Sequence, residues 1–242
     1  MKFKKIVGFG DSFIWGDELL DPALKSHLHT HSVVAENTQY RESNCFLGQM
    51  GQHYRVPVEN FGIPGGSLQS TIWNYLWWME NRPDEVDSSL IIVGLTGSGR
   101  ASFYNPNHVH YNNDAPWNKY VHSAWITPDM DHSSEWIDTI KRLTVLSNCK
   151  ELEKLNYRQA VWFFEGQAAL HPNRVFQLCT ISPPCVVNVP SLIWSDRCLT
   201  YVLKKLPNSE KLFADRGHPN EIGHKLMSEI LINHIESCII NA

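Results

Sequence analysis

No stretch of this 242-residue chain stays apolar long enough to cross a bilayer, for which about 20 consecutive apolar residues are needed. Positive charge is not in excess either. Lys and Arg total 21 against 25 Asp and Glu, a formal net charge of -4, and no basic cluster is long enough to make a nucleic-acid face. The six cysteines (Cys45, Cys149, Cys179, Cys185, Cys198 and Cys238) include no C-x-x-C pair, which argues against a zinc knuckle or a thioredoxin-like site. They read as free, mostly buried thiols. The start, basic and then apolar, has too short an apolar part for a signal peptide and no small-residue cleavage site. Synthesis in the cytoplasm without classical export is the expectation. Gly8-x-Gly10 lacks the remainder of a dinucleotide fingerprint, which disfavours nucleotide binding. Internal repeats and low-complexity tracts are missing too.

What is present fits a globular chain: 43% hydrophobic and 19% charged residues. The length suits one domain, residues 1–242, with a full core. Residues 3–9, 56–61, 89–95 and 174–181 read as short apolar strands bounded by Gly or Pro. Residues 16–41 read as loop and 45–54 as a short helix. Ser67 suits an N-cap, after which Leu68, Ile72, Tyr75, Leu76 and Met79 share a helical face that Pro83 ends. Trp73, Trp77 and Trp78 read as packing of that helix. Helical spacing returns at Trp136, Ile137, Ile140 and Leu143, and again over about 151–169. Residues 211–214 read as a short strand or a loop. A last helix is expected from Pro219, with Ile222, Leu226 and Ile230 in one row and Met227 and Leu231 beside it. Strands alternating with helices imply a parallel sheet covered on both faces, a three-layer α/β/α sandwich of flavodoxin-like style. Residues 98–131, rich in His, Asn, Pro and aromatics, interrupt it as an insertion.

Ligands in such sheets bind at the carboxyl ends of the strands, and three segments converge there. Gly10-Asp11-Ser12 follows the first strand, and a serine so placed becomes a nucleophile if a base reaches it. Asp215-Arg216-Gly217-His218-Pro219-Asn220 precedes the last helix. A loop of this shape lets Asp215 meet one imidazole nitrogen while the other faces Ser12. Asn60-Phe61-Gly62-Ile63-Pro64-Gly65-Gly66-Ser67 follows the second strand, its glycines allowing backbone N–H groups to approach a developing oxyanion.

Together these segments resemble the SGNH/GDSL hydrolase family. Gly10-Asp11-Ser12 is similar to its first block, Asn60 to Gly65 to its second, and Asp215-x-x-His218-Pro219-Asn220 with Gly223 to its fifth. The resemblance implies a Ser12–His218–Asp215 triad working through an acyl-enzyme. It also implies an oxyanion hole from the Ser12 and Gly65 amides, and no need of a cofactor or metal. The family's third block supplies an Asn side chain as a further oxyanion donor. Counting from Gly94, that position here is Thr96. Thr96 or Ser98 can donate a hydroxyl bond instead; loss of such a donor typically costs roughly 100–1,000-fold in rate. A hydroxyl residue with Arg100 nearby resembles phage-encoded members, pointing to a viral source and association with a virus particle.

Other residues carry weaker signals. Trp15, Arg100 and Tyr104 are candidates for lining a substrate pocket, Arg100 against an acidic group; an ordinary ion pair is the plainer fate for Arg100. Asp11 reads as a turn former. His27, His29 and His31 alternate, but their loop-like surroundings do not support a metal site, nor do those of His108, His110, His122 and His132. Tyr104, Tyr111, Trp117, Tyr120 and Trp125 make either a sugar-stacking surface or a small core of the insertion. The expected activity is hydrolysis of a small-molecule or glycan ester, a carbohydrate O-acetyl group being favoured over a long acyl chain. No nucleic-acid or membrane partner is expected. The alternative is a catalytically impaired structural or carbohydrate-binding protein of the same fold.

Overall fold

The computed structural model describes residues 3–24, 35–97, 99–104, 120–122, 138, 142 and 149–240. Its frame is a parallel sheet of β1 (Lys5–Gly10), β2 (Val58–Gly62), β3 (Ser89–Leu95) and β6 (Val175–Cys179), in the order β2-β1-β3-β6. The register runs through Phe9↔Phe61 and Phe9↔Val93 at the centre and Leu95↔Cys179 towards the far edge. Gln177 also bridges in parallel to Leu192, which extends β6 by one backbone contact.

Period-two alternation sends successive strand residues into two separate cores. Ile6, Leu90, Ile92, Phe176 and Leu178 face one layer; Val7, Phe9, Ile91, Val93 and Val175 face the other. The first layer is α3 (Phe46–Tyr54), α6 (Leu199–Lys204) and α7 (Glu221–Ile240); the second is α4 (Leu68–Asn81) and α5 (Lys150–Leu170). With helices on both sides, β1, β3 and β6 are buried almost throughout, which is why β3 is a near-continuous apolar run, whereas the edge strand β2 is mostly half-buried. Each such aliphatic side chain contributes about 1.5–3 kcal/mol on full burial. The chain therefore forms the expected three-layer α/β/α arrangement. Among the described residues no helix is long and apolar enough to cross a membrane.

Several elements differ from the sequence reading. Directly before the expected loop 16–41 lies α1 (Ser12–Trp15), and its end is taken up by α2 (Thr38–Asn44), which packs on α3. Ser67 caps α4 through a reciprocal bond pair with Ser70. However, the buried face of α4 carries Tyr75 and Trp78, while Leu76 is exposed. Both aromatic rings pack edge-on against Phe9, and that contact turns the helix away from the simple aliphatic row. In α7 the buried stripe is His224, Met227, Leu231 and Ile235, and Ile222 is exposed. The helix begins at Glu221 rather than Pro219, because Pro219 bridges back to Phe213. Residues 209–212 form a single 3-10 turn, so 211–214 is not a strand of the sheet.

Of the 98–131 stretch, β4 (Ser102–Tyr104) and β5 (Tyr120–His122) pair antiparallel. Apart from residues 99–101, the remainder of that insertion lies outside the described residues, as do Ser98, Tyr111, Trp117, Trp125, Trp136, Ile137, Ile140 and Leu143. His27, His29, His31, His108, His110 and His132 lie outside them as well. The cysteines are free; Cys45, Cys179 and Cys198 are buried, Cys149 is exposed, and Cys185 and Cys238 are half-buried.

Candidate active site

At the carboxyl end of β1 the chain turns at once into α1. Asp11 is its N-cap, with extended backbone and a carboxylate accepting the Phe13 N–H at 3.0 Å. Ser12 is the first helical residue and is almost fully buried. One turn later Gly16, at φ 82, ends the helix by donating its N–H to the Ser12 carbonyl. Only glycine takes this left-handed cap without penalty. The chain then presents Asp17 and Glu18 in succession. Glu18 also sits at positive φ, 66°, where a non-glycine residue costs about 1–2 kcal/mol. Backbone strain of this kind tends to cluster at functional sites.

From the other end of the chain comes the 214–218 loop. Ala214 donates its N–H to the His218 carbonyl, and Asn220 donates to Leu212, closing the loop just before α7. His218 Nε2 lies 2.9 Å from Ser12 Oγ. His218 Nδ1 lies 2.9 Å from Glu18 Oε2. The same carboxylate accepts the backbone N–H groups of His218 at 3.0 Å and Arg216 at 2.9 Å. Serine, imidazole and carboxylate thus form one hydrogen-bonded line. Asp17 stands at its side, Oδ2 3.9 Å from His218 Nε2. The Phe13 ring packs tilted against the imidazole, with centroids 5.1 Å apart.

Asp215 does not occupy the position expected for it. The 214–218 loop folds its backbone N–H groups onto Glu18, so the Glu18 carboxylate fills the space beside Nδ1. Asp215 instead lines an adjoining cavity of about 600 Å³, with Arg216, Leu20 and Glu221, on which Glu18 is the shared wall. The local spacing Asp-x-x-His pointed to Asp215, whereas the carboxylate in contact with Nδ1 is that of Glu18. One sequence signal for Glu18 was there: two acids in a row directly after a glycine able to stop a one-turn helix past Ser12.

The oxyanion candidates lie around the same strand ends. Ile63 N–H donates to the Gly10 carbonyl, fixing the second loop against the end of β1. Gly66 N–H then returns to Ile63, closing a turn with Pro64 second and Gly65 third at φ 74, the pattern of a type II turn. Among the described residues neither the Ser12 N–H nor the Gly65 N–H has a protein acceptor. Thr96, just past β3, is buried; its Oγ1 accepts from Arg100 Nη1 at 3.0 Å. The same Arg100 nitrogen is 3.6 Å from Asp11 Oδ2, which also accepts from the Thr180 hydroxyl at 2.9 Å. Asp11 is therefore more than a turn former: it caps the nucleophile's helix and also meets Thr180 and Arg100.

Trp15 does not present a free ring. The Arg41 guanidinium covers one face at 3.5 Å and donates to the Trp15 carbonyl at 2.7 Å. Asn60 Nδ2 donates to the Ile14 carbonyl at 2.8 Å. These contacts pin the turn that leads to Glu18. Arg41, fully buried and polar, was not singled out from the sequence. The Tyr104 and His122 side chains lie outside the described residues. No group of three or more His, Cys, Asp or Glu residues suited to a metal occurs among the described residues.

No protein-family model matches the chain, and no curated protein matches it. Solved structures resemble it loosely. A G-D-S-L family lipolytic protein from Desulfitobacterium hafniense DCB-2 is 15% identical, over 96% of this chain and 99% of that one, with a TM-score of 0.41. A lipase/acylhydrolase from Enterococcus faecalis is 14% identical, over 98% and 96%, with a TM-score of 0.43. A carbohydrate esterase is 15% identical, over 98% of this chain and 66% of that one, with a TM-score of 0.39. Likenesses this loose establish neither a shared family nor a shared activity.

Proposed function

We propose that this chain is a serine hydrolase of the SGNH/GDSL type that cleaves a carboxylic ester through a Ser12–His218–Glu18 triad. The observation that carries the reading is the line of two 2.9 Å contacts, Ser12 Oγ to Nε2 and Nδ1 to Glu18. It is the nucleophile–base–orienter geometry, recognised by roles rather than by sequence order. The sequence blocks around Ser12, Gly65 and His218 support it from an independent direction.

In this mechanism Ser12 Oγ attacks the ester carbonyl as its proton passes to His218 Nε2. Glu18 holds the Nδ1–H tautomer and stabilises the imidazolium; Asp17, close to Nε2, adds favourable charge. The free Ser12 and Gly65 amides, with the Thr96 hydroxyl, donate to the tetrahedral oxyanion. His218 returns its proton to the leaving alcohol, and water then releases the acyl group by the same path in reverse. Glu18 takes the role that the family resemblance assigns to Asp215. A short acyl group is favoured, since Ser12 is almost buried. The aromatic content of 98–131 favours an acetylated carbohydrate as the alcohol side.

The test is hydrolysis of p-nitrophenyl acetate, with covalent labelling by a fluorophosphonate, for the wild type and Ser12→Ala. Labelling and turnover in the wild type, both lost in the folded variant, are expected. A folded wild type that neither labels nor turns over short esters or acetylated glycans sinks the reading.

A further inference from the structure

We infer that Arg100 is a positioning residue for the oxyanion site, orienting the Thr96 hydroxyl as its third donor. The inference rests on the hydrolase reading above. A hydroxyl has one hydrogen and two lone pairs. Arg100 Nη1 donates to Thr96 Oγ1 at 3.0 Å and so occupies one lone pair. A guanidinium has no acceptor to offer, so the Thr96 hydrogen must point elsewhere. Among the described residues no acceptor receives it, although Thr96 is buried. A buried hydroxyl with an uncommitted hydrogen is costly unless something binds there. Its position past β3, beside β1 and next to Asp11, puts it at the strand ends that carry Ser12.

Charge supports the same assignment. Asp11 is a fully buried carboxylate directly preceding the nucleophile, and its field opposes negative charge building up on the substrate oxygen. Arg100, 3.6 Å from Asp11 and about a quarter exposed, offsets that field. Arg100 thus has two separable effects: it orients Thr96 and it balances Asp11. A hydroxyl bond strengthened by a cation is also a stronger donor through its own hydrogen.

The experiment measures kcat and KM on p-nitrophenyl acetate, and on a neutral and an anionic ester of similar size, for Arg100→Met, Arg100→Lys, Thr96→Val and the Thr96→Val/Arg100→Met pair. Arg100→Met is expected to lower kcat about 100-fold, as for loss of one oxyanion donor, with KM little changed for either ester. Arg100→Lys should recover part of the loss. In the Thr96→Val background, removing Arg100 should add little, because the two act as a unit. Asp11→Asn, which keeps the N-cap, separates the two effects: if it restores Arg100→Met fully, Arg100 only balances charge and the orienting role is overturned. Additive losses, or a KM change confined to the anionic ester, overturn it as well, the latter making Arg100 a substrate-binding group. A folded, active wild type whose kcat survives Arg100→Met ends this inference and leaves the hydrolase reading intact. A folded wild type that neither labels with the fluorophosphonate nor turns over short esters or acetylated glycans ends both.

Discussion

The two ends of the same parallel sheet use their polar groups in opposite ways. At the amino end, Lys5 Nζ donates to Glu59 at 2.8 Å and to Glu85 at 2.6 Å, and Arg82 closes the set on Glu59 at 2.5 Å. Burial alone would raise the Glu59 carboxyl, but the bonds from Lys5 and Arg82 overcome it and hold the group below its ordinary range. Each charge there answers another. At the carboxyl end the Ser12 and Gly65 amides and the Thr96 hydrogen have no acceptor among the described residues, Glu18 is held in left-handed backbone, and a carboxylate, an imidazole and a serine stand in line. A fold selected only for stability would treat both ends like the first. On the proposed hydrolase reading, the carboxyl end is where a substrate would supply the missing partners.

The largest test of that asymmetry compares two carboxylates. Glu18→Gln is expected to lower kcat by about 1,000–10,000-fold, since it breaks the acceptor that holds His218 in its tautomer. Asp215→Asn should stay within a few-fold of the wild type. Steady-state kinetics on one ester decides it. Equal losses, or the reverse order, would return the orienting role to Asp215.

Next in size is an acid effect reaching the site from behind. His224 is fully buried on α7 and accepts the Phe46 N–H at the start of α3 through Nδ1, at 3.2 Å. Its Nε2 is buried without a partner. Burial first, and the charge of His218 second, push this imidazole down to about 3. The folded value lies below the ordinary one of 6.5, so the folded chain binds the proton later than the unfolded chain. Stability from this group is therefore complete above pH 6.5 and is lost as pH falls towards 3. The slope should approach about 1.4 kcal/mol per pH unit within that window. Urea midpoints for wild type and His224→Gln between pH 7.5 and 5 would measure it as the difference between the two curves. Parallel curves would mean that His224 is already protonated or is exposed in solution.

The smallest effect belongs to the amino end. Lys5→Met should cost about 1 kcal/mol or less, because its partners are partly exposed and screened, and should leave ester turnover unchanged. A change in kcat with the fold intact would show that the two ends are coupled through β1, and the comparison above would lose its force.

Much of the frame was legible in the chain. Four short runs became the four parallel strands, each boundary within two residues; for β1, β3 and β6 the reason is that a strand buried on both faces needs no partner-dependent pattern to be read. The faces of α4 and α7 were less legible. Leu76 and Ile222 fit a helical row by spacing, yet Trp78 and Met227 hold the core, because the choice among adjacent rows depends on which rings and methyl groups meet across layers. Arg41 escaped notice for a similar reason. Its value to the site is to cover Trp15 and hold the backbone before Glu18, and no spacing rule links residues 15 and 41.

Ser12 past the first strand, His218 ahead of the last helix and the Gly65 turn after the second strand were determined by the sequence alone, since each depends on a local strand end, cap or turn. Which carboxylate meets His218, and which side chain holds Thr96, were decided only in the folded chain. Glu18 reaches the imidazole across 200 residues of sequence, and Arg100 meets Asp11 across 89. Such contacts depend on where separate loops arrive over one sheet edge, a property of the packed layers and not of any segment within them.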